Sequence, residues 1–79
     1  MTISLREEEI LAFLMKWRDE HVDERGAKQS PSIWFVRSVY GNMTPIHKMQ
    51  RGGWLVVRGD EIVPTSKAEV WWLNRKFTV

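Results

Sequence analysis

Asn42-Met-Thr-Pro-Ile-His-Lys-Met-Gln-Arg-Gly-Gly-Trp-Leu-Val-Val-Arg-Gly-Asp-Glu-Ile-Val-Pro64 is the stretch on which the reading of this chain turns. Thr44-Pro45 is a helix-start pair, a capping hydroxyl followed by a proline suited to the first helical position. Ile46 and Met49 stand three residues apart and supply an inward pair, and Gly52-Gly53 stops the helix after about two turns. At about 100° per residue the opposite face carries Thr44, His47, Lys48 and Arg51, with Gln50 on its flank. Trp54 to Arg58 is then a run of β-formers. Gly59-Asp60 suits a two-residue turn of the II′ type, and Glu61-Ile62-Val63 leads to Pro64, which has to close the second strand. The stretch predicts a short, polar, basic helix over about 44–51 followed by a β-hairpin over about 54–64.

Upstream, Ser4-Leu5-Arg6-Glu7 has the spacing of a capping box, and Glu7, Glu8 and Glu9 fall where the helix dipole favours acids. Ile10, Leu11, Leu14, Trp17 and His21 follow a helical period, which predicts a first helix over about 5–21. His21, near its end, reads as a partner of the helix dipole. Residues 21–29 read as a loop. Ser30-Pro31 is a second start pair, Ile33, Val36, Val39 and Tyr40 are the expected buried stripe, and Gly41 is the expected stop. Downstream, Ser66-Lys67-Ala68-Glu69 is another capping box. Val70, Leu73 and Phe77, with Trp71 or Trp72 alongside, are the expected inner face of a last helix over about 66–76. The fold class expected is α+β: one domain over 1–79 with three helices, a hairpin and a C-terminal helix.

Charge is unevenly spread. Residues 1–24 hold seven acidic against three basic side chains, a balance of −4, while 25–79 hold nine basic and three acidic, a balance of +6. From Arg25 to Gly59 there is no Asp or Glu at all, and Arg25, Lys28, Arg37, Lys48, Arg51 and Arg58 lie within that run. A one-signed stretch that also holds helix and turn signals is what a surface meeting a polyanion requires. The chain of 79 residues is short of core, and five tryptophans supply large burial per residue. It has no cysteine, no signal-peptide pattern and no apolar run near membrane-span length. A cytoplasmic location is the expectation.

The order helix, helix, tight turn, short helix, hairpin, helix resembles a winged helix-turn-helix domain. Ser30 to Gly41 looks like the supporting helix, Asn42 to Gly53 like the turn and recognition helix, and Trp54 to Pro64 like the wing. Ile46 to Leu55 is similar to the way the recognition helix leads into the wing in MarR-type regulators. Pro64 to Lys76 resembles the helix after the wing in small phage excisionase and MerR-like domains. The resemblance implies a DNA-binding protein of phage or mobile-element size, a transcriptional regulator or architectural factor, acting on double-stranded DNA as a dimer. A homodimer contact through the Trp71/Trp72 helix or through the first helix is the matching expectation.

On that reading Arg51, Gln50 and Lys48 are the side chains able to address purine edges. Thr44 and the backbone N–H groups at the start of its helix suit phosphate, and His47 is an exposed polar contact. Arg58 sits before the hairpin turn, where a basic tip would reach phosphate or the minor groove. Arg37, Lys28 and Ser32 are further phosphate candidates. The alternative is a winged-helix protein-interaction module whose basic face docks an acidic partner. Exposure of Trp34 and Trp54 beside Arg51 would favour the module, and their burial would favour DNA. With two histidines and no cysteine, no metal-ligand spacing is present and no cofactor is implied. Glu7, Glu8 and Glu9 diverge around a helix, and Gly52-Gly53 precedes a strand where a phosphate loop would open a helix. No catalytic residue is expected.

Overall fold

Helix α1 (Leu5–Glu20) begins where its cap is encoded: the Ser4 hydroxyl accepts the Glu7 N–H at 3.2 Å, satisfying one of the donors a helix start leaves unpaired. The computed structural model describes residues 3–77. Ile10, Leu11, Leu14 and Met15 recur at helical spacing and are buried. His21 is not part of that stripe. It leaves helical geometry as the C-cap residue, exposed, with its ring stacked on Trp17 (centroids 3.9 Å apart) and Nδ1 2.7 Å from the Trp17 carbonyl oxygen. Residues 21–29 then double back. The Asp23 carboxylate accepts the Arg25 and Ala27 N–H groups at 2.8 and 2.9 Å, and Val22 bridges Lys28.

Helix α2 (Ile33–Tyr40) does not start at Ser30-Pro31. Its cap is Ser32, whose hydroxyl accepts the Phe35 N–H at 3.2 Å. Residues 31–32, just before the helix, are held against a hairpin made of β1 (Leu55–Arg58) and β2 (Glu61–Pro64). Ile62 N–H donates to the Pro31 carbonyl at 2.9 Å, Ile33 N–H donates to the Asp60 carbonyl at 2.6 Å, and Ser32 bridges Glu61. A long-range pairing overrides the local start signal, because it satisfies backbone groups that would otherwise be buried unpaired beside Pro31. Gly41 ends α2 as expected, at φ 70°, with its N–H on the Arg37 carbonyl at 2.7 Å.

Helix α3 (Thr44–Arg51) follows, then the antiparallel hairpin, in which Leu55 faces Pro64 and Arg58 faces Glu61. The two-residue turn has Gly59 at φ 60°, and Asp60 keeps a negative φ, the pattern of the II′ turn. Helix α4 (Ser66–Phe77) closes the domain against α1 and β2. One buried cluster joins the α1 stripe to Val36, Ile46, Met49, Leu55, Ile62 and Ala68, with Trp54 at its edge.

Two expected faces are corrected. Val39 is half exposed, because α2 meets α1 through Phe35 and Tyr40, which flank Phe13 at 5.9 and 5.6 Å between centroids and leave Val39 at the margin. In α4 the inward positions are Ala68, Trp71 and Trp72, while Val70 and Leu73 face outward. Trp72 Nε1 donates to Asp19 at 2.9 Å, and Trp71 meets Trp54 edge-on at 6.4 Å. Two adjacent indoles with these partners set the rotation of the helix, and the smaller aliphatics turn out. Ser66 is the first residue of α4 and not its cap, and Glu69 reaches Arg18 at 3.5 Å. The expected inward role of Phe77 lies outside the described side chains. No helix among the described residues is long and apolar enough to cross a membrane.

Candidate nucleic-acid interface

Only two residues of α3, Ile46 and Met49, are buried, and they hold the helix against α1 and the start of β1. An eight-residue helix anchored by two positions must turn its other side to solvent. Thr44, His47, Lys48, Gln50 and Arg51 are all exposed, so the structure brings five of the expected site residues onto one outward face. Among the described residues, no carboxylate pairs with Lys48 or Arg51; the ion pairs lie elsewhere, at Arg18–Glu69, Lys28–Asp19 and Arg75–Glu8.

The two ends of α3 are finished differently. At the start, the Asn42 side-chain oxygen accepts the Thr44 N–H at 2.8 Å and Pro45 has no N–H to offer. This leaves little of the backbone donor array that was expected to meet phosphate. At the exit, Lys67 Nζ donates to the Gly52 carbonyl at 3.0 Å, and the Thr65 hydroxyl donates to the Gly53 carbonyl at 2.6 Å. The same ammonium lies 4.3 Å from the centre of the Trp54 ring. A cation at a helix C-terminus meets the negative end of the dipole and the last free carbonyls. Nothing in the sequence pattern pointed to Lys67, because its partners are fifteen and thirteen residues away along the chain.

The remaining candidates are dispersed. Arg37 is exposed on α2, one turn from Trp34, the most exposed aromatic side chain of the described residues at 67%. Trp54, by contrast, is only 9% exposed. Ser32 is occupied as the α2 cap, bridged to Glu61. Lys28 Nζ lies 2.6 Å from Asp19 and lines a shallow groove of about 190 Å³ with Met15, Glu69, Trp72 and Leu73, none of which belongs to α3. Arg58 is exposed on the outward side of β1, but the register sets Glu61 directly across from it and Asp60 stands in the turn. The acid-free run of the sequence therefore ends against acids that the hairpin folds back. Cross-strand neighbours of opposite sign attract, so part of the Arg58 field is spent locally. If the hairpin tip meets duplex DNA, replacing Glu61 with glutamine is expected to tighten binding about two- to threefold at low salt, read by fluorescence anisotropy. An unchanged constant would put the hairpin tip away from the nucleic acid.

Among the described residues no group of three His, Asp or Glu side chains is placed to hold a metal ion. No protein-family model, curated protein or solved structure matches the chain. Function therefore rests on the geometry of the site.

Proposed function

We propose that this domain binds double-stranded DNA as a winged helix-turn-helix, with α3 in the major groove and the hairpin beside it, serving as a transcriptional regulator or architectural factor. The observation that carries the reading is the outward face of α3, where Lys48 and Arg51 stand exposed and unpaired among the described residues beside Gln50, His47 and Thr44. The segment 31–32 laid against β2, and the helix pair α2–α3 joined by a three-residue turn, support the same architecture. Eight helical residues span about 12 Å, the rise of about three to four base pairs. Arg51 and Gln50 have the donor geometry for purine edges, and Lys48 and Arg37 serve phosphates.

The test is a salt titration of a labelled random duplex. With three to four phosphate contacts, affinity should fall about 40- to 150-fold between about 50 and 200 mM monovalent salt. Salt-indifferent binding, or none at low salt, removes the reading.

A second reading has one observation in its favour. Trp34 is exposed with Arg37 one turn along, a pairing typical of protein hot spots, so α2 suits an acidic protein partner. Trp54, the other tryptophan that reading needs, is buried, and DNA is the better supported ligand.

A further inference from the structure

The face of α1 that no other element covers has a self-complementary pattern. Ile10, Leu11, Leu14 and Met15 point into the core, and Phe13 and Trp17 meet Phe35 of α2. On the far side, Glu8 pairs with Arg75 and Asp19 pairs with Lys28. Between these lies a stripe of Leu5, Glu9, Ala12, Lys16 and Glu20, spaced 4, 3, 4 and 4 residues apart, which sets all five on one face of the helix. Leu5 is 81% exposed, Glu9, Lys16 and Glu20 are exposed, and Ala12 is half-buried. Among the described residues, none of those three charges has an ion-pair partner.

We infer that this stripe joins two copies of the chain, with the α1 helices antiparallel about a two-fold axis beside Ala12 and Phe13. The charges select both occupant and orientation. In an antiparallel pair centred there, Lys16 of each copy faces Glu9 of the other, and Glu20 lies opposite Leu5 and Arg6 of the other. Each contact occurs twice by symmetry, as an isologous interface demands. A parallel pair would set Glu9 on Glu9, Lys16 on Lys16 and Glu20 on Glu20. A stripe holding both signs, with a net charge of only −1, also offers little field to a strongly acidic or strongly basic partner. Ala12 at the crossing lets the backbones approach, and the Phe13 ring of one copy covers Ala12 of the other. The half-buried rings of Tyr40, Phe13 and Trp17, with the exposed Phe35 among them, widen the apolar centre.

The contact is modest, since a helix of this length is about 24 Å long. It does not depend on the DNA reading, and its test contains no DNA. Sedimentation equilibrium of the native chain should show a mass approaching twice the 9.4 kDa of one copy, with a dissociation constant on the order of 10 µM, as befits an interface below the standard size. Lys16→Glu should weaken association about tenfold or more, and Glu9→Lys combined with Lys16→Glu should restore it to within about threefold. All of these positions are exposed, and circular dichroism verifies that the variants fold. Leu73→Ser, on the outer face of α4, should leave the constant unchanged. A chain that stays monomeric to about 500 µM, a Lys16→Glu variant that still dimerises, a charge swap that fails to restore, or a Leu73→Ser variant that dissociates would each overturn the assignment.

Discussion

On the proposed DNA-binding reading, replacing Lys48 and Arg51 together by alanine is expected to lower affinity for duplex DNA by about 30-fold or more and to make the salt dependence shallower by about one in logarithmic slope for each phosphate left without its cation. The expectation follows from where the two side chains stand. Both are exposed on α3 and neither is held by a carboxylate among the described residues, so their removal costs the fold little while deleting the strongest cations of the outward face. A thermal melt should accordingly stay within about 2 °C of the parent, as surface changes usually do. Arg37→Ala, on α2, should cost affinity less than the double change. Retained affinity in the double variant would show that nucleic acid, if bound, lies on another surface.

Ile46→Ala is expected to produce the largest loss of stability. The side chain is 1% exposed and is one of only two that anchor α3. Emptying such a site costs about 2–5 kcal/mol, against a total of about 4–12 kcal/mol for a domain of this length. The melting temperature should fall by more than about 10 °C. Because α3 then has Met49 alone to hold its rotation, DNA affinity measured well below the melt should also decline. A melt within about 3 °C of the parent would mean that the cavity collapses without strain, and that the anchor is less important than its burial implies.

What could be read from the residues alone was local. The Ser4 cap, the Gly41 stop and the Gly59-Asp60 turn each depend on a few consecutive residues, and each stands where it was expected. The outward face of α3 was legible for a related reason: eight residues with two apolar members leave one way to orient the helix. What was not legible depends on distant partners. Ser30-Pro31 carries a start signal, yet the carbonyl of Pro31 is taken by Ile62. The apolar pattern of α4 favoured Val70 and Leu73, yet Asp19 and Trp54 hold the two indoles inward. Lys28 belongs to a basic run on paper and to an ion pair with α1 in space. Likewise, an acid-free stretch does not make an acid-free surface once strand pairing sets Glu61 across from Arg58.

The tethers at the junction of α3 with the hairpin and at the hairpin turn have a mechanical consequence. Lys67 and Thr65 fasten the exit of α3 through the Gly52 and Gly53 carbonyls, and Ile33 fastens the hairpin turn through Asp60. A surface tied at these two points has little compliance, so in the proposed complex the accommodation would fall to the duplex. Pliable pyrimidine–purine steps yield at lower energetic cost than stiff adenine tracts. Among duplexes offering α3 the same base edges, those with a TA or CA step beside the contacted pairs should bind more tightly, and equal affinity for both kinds would mean that the protein itself bends.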